Sequence, residues 1–290
     1  MENLRGAMFM ALAMLAFTVE DTLIKLLAGA FPTWQIILAL GLGGMAVFAV
    51  LARIQGQQAI PRAGWNAALI WRNLGEVVGM VGFVTALSLT GLSTASAILQ
   101  VAPLVVTLGA AVFLGEAVGW RRWSAILVGF FGVMLIVRPG LDGFDASALF
   151  AVVGVIGLAM RDVATRRIQA QVSTVQLSFL AFAMALPGAL VLALASGAPF
   201  VTPTPGQWGM LLVTVGIGVV AYYLIVLATR LGEVSFVTPF RYTRIVFALI
   251  VGFVVFGERP DIWMLVGTVI IIGSGLFTLW RERRVGAKPA

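Results

Sequence analysis

The sequence predicts an all-α membrane protein of ten spanning helices, arranged as two inverted five-helix repeats. Three observations carry that prediction: an apolar composition, ten hydrophobic stretches of spanning length, and a set of residues that recurs in order in the second half. Hydrophobic residues make up 61% of the 290 and charged residues 11%, and the mean hydropathy is +1.05. A soluble domain of this size could not hide so much apolar surface. A spanning helix needs roughly 20 mainly apolar residues, and such stretches lie at 7–28, 33–53, 71–89, 92–114, 121–138, 146–168, 174–196, 208–229, 235–256 and 261–280. Asp21, Thr33 and Gln35 are matched by Asp162, Thr174 and Gln176 at a shift of 141. Ala86, Leu89, Ser93, Gly115 and Glu116 are matched by Ala228, Leu231, Ser235, Gly257 and Glu258 at a shift of 142. Five spans per half is an odd number, so the second half enters the membrane from the opposite side, the ground plan of many secondary transporters. The expected domains are residues 1–140 and 141–290.

Charge sets the expected orientation. The net charge is +7, but the basic residues sit at alternate ends of the apolar stretches rather than in one patch, which argues against nucleic acid as a partner and for the lipid bilayer. With the N-terminus in the cytoplasm, Arg5, Arg53, Arg62, Arg72, Arg121, Arg122, Arg161, Arg166, Arg167, Arg230, Arg281, Arg283, Arg284 and Lys288 lie on that side. Only Lys25, Arg138 and Arg259 lie outside, so the positive-inside rule puts both termini in the cytoplasm of a bacterial inner membrane. The first stretch follows Glu2 and Arg5, and its length of about 22 residues suits a retained helix better than a signal peptide. The short connections leave no room for a nucleotide-binding domain, and no glycine-rich stretch reads as a phosphate-binding loop. Cysteine and histidine are absent, so no disulfide, metal site or cofactor is expected.

Taken in order, the spans carry these polar groups. In the first, Thr18, Asp21 and Lys25 share a face, and Asp21 and Lys25 stand at the i,i+4 spacing of an ion pair, while Glu20 points the other way. In the third, Glu76 stands four residues from Arg72, with Trp71 beside them. In the fourth, Ser93, Ser96, Gln100, Pro103 and Thr107 fall within an arc of about 80°. Such a stripe either hydrogen-bonds a neighbouring helix or lines a water-filled cavity in which Gln100 offers both donors and acceptors. Pro103, and Pro239 in the ninth span, are expected to kink their helices. In the sixth, Asp162 and Arg166 reproduce Asp21 and Lys25 near the opposite end. The two pairs are expected to act as alternating gates, with Asp21, Glu76 and Asp162, besides Glu20, as the candidate proton carriers. Tyr222 and Tyr223 lie in the eighth span, and Arg241, Tyr242 and Arg244 in the ninth. One of these arginines either reaches the interface or meets a ligand carboxylate through its planar fork. Glycine pairs such as Gly75 and Gly79 are expected to bring helices close. Most of the eight Trp, among them Trp34, Trp65, Trp120, Trp123, Trp208 and Trp263, are expected in interfacial belts. Glu116 and Glu258 are expected to cap the helix that follows each.

Both halves close alike, as Phe113-Leu114-Gly115-Glu116 and Val255-Phe256-Gly257-Glu258. With ten short-looped helices in two fives, the chain resembles the drug/metabolite transporter superfamily, specifically its EamA-type members, over essentially its whole length. Pro103 stands where that family has a proline, whereas Ile245 replaces it in the second half. The resemblance implies a basket-shaped bundle with a central cavity between the first, third, fourth, sixth, eighth and ninth helices. It also implies export of amino acids, amphiphilic metabolites or toxic compounds by alternating access, and one similar branch exports aromatic amino acids. On that reading Gln100, Ser96, Tyr242, Arg241, Trp71 and Tyr222 bind the small-molecule substrate, and Asp21, Lys25, Glu76, Asp162 and Arg166 gate it or carry protons. A monomer of ten helices would suffice. A drug or cation exporter of the same fold remains an alternative, as do an intramembrane enzyme and a non-catalytic adaptor. The lack of His, Cys and any HExxH motif opposes the enzyme.

Overall fold

The computed structural model describes residues 2–61, 65–115, 119–140, 144–168, 172–231 and 234–286. Arg62, Glu116 and Lys288 lie outside the described residues, as do the side chains of Arg230, Arg281, Arg283 and Arg284. The helices are α1 (Glu2–Ala28), α2 (Thr33–Ile54), α3 (Ala67–Leu89), α4 (Leu92–Leu99), α5 (Ala102–Leu114), α6 (Trp120–Val137), α7 (Ala148–Thr165), α8 (Thr174–Ala183), α9 (Ala185–Ser196), α10 (Pro205–Leu231), α11 (Val234–Val237), α12 (Thr243–Phe256) and α13 (Ile262–Gly286), with a 3₁₀ turn, Thr238–Tyr242, between α11 and α12. They make ten spans, because α4–α5, α8–α9 and α11–α12 are each one interrupted span. Among the described residues nine are long and apolar enough to cross a bilayer, and α13 adds the apolar stretch Ile262–Thr278. Their surfaces match that solvent: Leu194, Phe113 and Val254 are more than 70% exposed, while Asp21, Arg72 and Glu76 are buried.

Two of the interruptions were expected and one was not. Pro103 lacks the amide that would close onto the Leu99 carbonyl, and the helix breaks at Gln100–Val101. Pro239 sits inside the 3₁₀ turn of the ninth span. The third break falls at Met184, three residues before Pro187, whose missing N–H would have bonded Ala183. The closing glycines Gly115 and Gly257 end their helices with φ of 71° and 64°, a left-handed conformation that a side chain disfavours.

The spans pack most closely as α1 with α10, α3 with α7, α2 with α8–α9 and α6 with α13, and α4 crosses α12 with a lighter contact. Numbered by span these are 1 with 8, 3 with 6, 2 with 7, 4 with 9 and 5 with 10. Exchanging each span for the one five later returns the same list. Small residues permit the closest of these approaches, as expected. A Cβ on Gly82 of α3 would stand 2.6 Å from the backbone nitrogen of Gly154 on α7, and one on Gly267 of α13 would stand 2.6 Å from the Gly132 carbonyl on α6. Gln35 and Gln176, matched in sequence, play matched parts. Gln35 holds both polar groups of Val201, at 2.6 and 2.9 Å, and Gln176 donates to the Gln58 carbonyl at 2.9 Å, so each ties a loop of the other half.

Candidate functional site

The two broken spans of α4–α5 and α11–α12 meet at their breaks. Gln100, at the C-terminus of α4, donates through Nε2 to the Arg241 carbonyl at 3.4 Å. Further along the stripe, Ser93 donates to the Ala248 carbonyl at 3.4 Å, and Thr107 donates to Pro103 on its own helix at 2.9 Å. Ser96 is fully buried and its hydroxyl has no partner. Gln100 and Ser93 of the stripe thus make contact with the ninth span. A cavity of about 300 Å³ opens at the Ser93 end of the stripe, lined by Ser93, Thr94, Arg138, Asp145, Glu258 and Asp261 among others.

Arg241 follows directly from that crossing. Among the described residues its guanidinium has no ion pair, and its Nε is buried without a partner. Asp162 attracts it and Arg161 repels it. Tyr242 is buried, with its hydroxyl unpartnered and set against Gly275 of α13. Tyr222 is half-buried, its ring edge-on to Phe48 at 5.8 Å, and it lies within electrostatic reach of Arg72 and Arg161. Trp71 is 56% exposed on a stripe with Leu74 and Val78, so it is a surface residue and not part of this buried group.

The expected i,i+4 pair in the first span does not form. Asp21 instead takes Arg244 of α12 at 2.6 Å, and that guanidinium lies over the rings of Phe17 and Phe83 at 5.1 and 5.4 Å. Lys25 reaches Glu258 at 3.9 Å and donates to the Thr90 carbonyl. At the other end Glu76 receives both Arg72 and Arg161 at 3.3 Å, and Arg161 also holds Asp162 at 2.8 Å. Arg166 is exposed. Spacing on one helix concealed these partners, because Arg244, Glu258 and Arg161 come from other spans, and Arg161 had counted only as a cytoplasmic charge.

Glu258 also departs from expectation. It caps not the following helix but α4 in the first half, accepting from the amides of Leu92 at 2.6 Å and Ser93 at 2.9 Å. With the Arg138–Asp261 pair it closes the Lys25 end of the bundle across the two halves.

Ten apolar spans, interrupted helices crossing at their breaks and charges buried between them define a multi-pass membrane protein. The chain belongs to the EamA-like transporter family, whose profile matches residues 4–138 and again residues 146–280. It is 28% identical to a riboflavin transporter of Rhizobium johnstonii, over 98% of this chain and 94% of that one. It is 29% identical to an S-adenosylmethionine uptake transporter of Rickettsia bellii, over 76% and 74%. It is likewise 29% identical to a pseudopaline exporter of Pseudomonas aeruginosa, over 92% and 93%. Among the solved structures that share the fold is a crystal structure with a TM-score of 0.58 at 19% identity and 99% coverage of both chains.

Proposed function

We propose that this protein exports a small carboxylate-bearing metabolite, an amino acid or an amphiphilic relative of one, by alternating access. The ligand carboxylate pairs with Arg241, and Gln100 holds the backbone beside it. The observation that carries this reading is the half-buried Arg241 side chain, which among the described residues has no ion pair and whose Nε is buried without a partner where the two broken helices cross. A guanidinium without an ion-pair partner inside a span is costly, and a ligand carboxylate taken bidentately would offset that cost. Arg72, Arg161 and Arg241 outnumber Glu76 and Asp162 by three to two. That balance disfavours the alternative of a cationic drug. S-adenosylmethionine, the cargo named for one relative, is itself an amino-acid derivative.

The halves are inverted repeats, and the Arg72 end faces the cytoplasm. The exchange-invariant packing and the doubled family match support the first statement; the excess of arginines at that end supports the second. The moving bodies are pairs drawn from both halves, such as α1 with α10 and α3 with α7, rather than the halves themselves. In the present state the Lys25 end is latched by Glu258 and Asp261.

The test is counterflow in liposomes carrying the purified protein, with labelled L-phenylalanine, S-adenosylmethionine and a panel of other amino acids. Specific uptake that disappears in Arg241→Gln and weakens in Gln100→Ala is the expected result. Counterflow that survives Arg241→Gln unchanged would refute the assigned site.

A further inference from the structure

Four carboxylates lie within the spans singled out above, and three are engaged: Asp21 with Arg244, Glu76 with Arg72 and Arg161, and Asp162 with Arg161. The fourth, Glu20, has neither an ion pair nor a hydrogen bond to any described residue. It leaves α1 toward α10, and its carboxyl group lodges against Gly218, where a Cβ would stand 2.8 Å from Cδ and 3.2 Å from Oε2. Any side chain at position 218 would evict it. Glu20 lies eight residues from the Ala28 end of α1, about 12 Å along the helix at 1.5 Å per residue.

The position has a counterpart. The shifts of 141 and 142 that relate the halves carry Glu20 to Arg161 and bring Glu76 to Gly218. The α3–α7 contact thus holds an Arg161–Glu76 ion pair at 3.3 Å where the α1–α10 contact holds a glutamate against a glycine. One side is charge-compensated. On the other, the cation is replaced by an acid and the acid by an empty socket.

The charges acting on Glu20 are Asp21 beside it and Arg244 on α12, and those two are already paired. From the other elements packed on α1, Arg72 and Glu76 of α3 pair with each other, Arg241 and Tyr242 belong to the 3₁₀ turn, and Tyr222 and Tyr223 follow Gly218 by one turn. Lys25 is drawn to Glu258, Arg53 lies in the last turn of α2, and α4 has no titratable side chain. An ionised carboxylate in such a place costs several kcal/mol unless paired. Glu20 is half-buried with no cation of its own, and its place against Gly218 suits a carboxyl group that binds a proton.

We propose that Glu20 is the proton-binding site that couples this transporter to a proton gradient, a step that rests on the transport function proposed above. While α1 and α10 are packed, Glu20 carries a proton. When transport opens that contact to water, its O–H bond breaks, the proton passes to a water molecule as hydronium, and the carboxylate remains until it is reprotonated from the other side.

Two measurements on the purified protein in liposomes test this. Infrared difference spectra across a pH titration require no substrate: the wild type is expected to show a protonated-carboxyl band that Glu20→Gln loses and Glu20→Asp retains at a shifted frequency. In transport, Glu20→Gln is expected to lose accumulation of labelled L-phenylalanine or S-adenosylmethionine driven by a pH gradient while keeping counterflow of the same probe. A carboxyl band unchanged in Glu20→Gln, or gradient-driven accumulation that survives it, overturns the proposal. If neither these probes nor any other amino acid of the panel shows counterflow in the wild type, the substrate assignment fails instead, and the infrared measurement still decides the proton site. Should Glu20→Gln not fold, Glu20→Asp decides alone by the presence or absence of its shifted band.

Discussion

Asp21 and Arg244 stand 223 residues apart in sequence and 2.6 Å apart in space, with a second contact from the arginine Nε at 3.2 Å. Their side chains are 4% and 13% exposed. Removing one partner leaves a buried charge alone, which in soluble proteins costs about 3–5 kcal/mol. Asp21→Asn and Arg244→Gln are each expected to lower the Tm in detergent well below wild type. The double variant is expected to recover part of the loss, because it leaves no orphaned charge. Equal and additive losses would show that the pair is not coupled.

The Glu258 cap predicts a change in access rather than in fold. Losing a capping acceptor costs about 0.5–2 kcal/mol, and Glu258→Ala should loosen α4 and free Lys25 at once. Because the chain has no cysteine, a single Thr94→Cys in the neighbouring cavity reports directly. Its labelling by a membrane-impermeant maleimide is expected to accelerate in the Glu258→Ala background.

Helix approach at Gly82 and Gly154 is expected to be intolerant of any larger residue. Gly82→Val drives a side chain into backbone atoms 2.6–2.9 Å away that cannot rotate aside. Overpacking typically costs about 1–3 kcal/mol, and a fluorescence-detected size-exclusion profile should show loss of the monodisperse peak. Gly273→Ala is the control: nothing lies within 4 Å of its Cβ position, so its profile should be unchanged.

Gln35 predicts a local effect. Its two hydrogen bonds to Val201 fix the 197–204 connection, so Gln35→Ala should expose that loop to protease while the bundle stays intact. Each lost bond is worth about 0.5–1.5 kcal/mol. A cleavage rate indistinguishable from wild type would mean that other contacts hold the loop.

What was legible in the sequence was what a single segment encodes. The spans follow from apolar length, and the breaks at Gln100 and in the 3₁₀ turn follow from Pro103 and Pro239, because a proline acts on its own turn. The break at Met184 was equally encoded by Pro187, but its effect lies three residues upstream. The ion pairs were another matter. Asp21 and Lys25 fit the helical spacing rule, yet a buried charge takes whichever partner tertiary packing delivers, and that packing delivered Arg244 and Glu258 from the far half. The same holds for Glu258, whose expected helix was its chain neighbour and whose actual helix is α4. At the candidate site, Gln100 and Arg241 both stood out as polar residues within spans, but their meeting through the Arg241 backbone did not, since no side-chain pattern signals a contact to a main-chain carbonyl.

The exchange of partners between halves also sets a clock on synthesis. Asp21 enters the membrane early, whereas Arg244 is made 223 residues later. At about 5–20 residues per second, the acid waits on the order of tens of seconds for its counter-ion. Arg72 and Glu76 can satisfy each other meanwhile, being one turn apart on α3. Asp21 has Lys25 one turn further along α1 as an interim partner, and that pairing must be given up when the ninth span brings Arg244 and the chain beyond it brings Glu258.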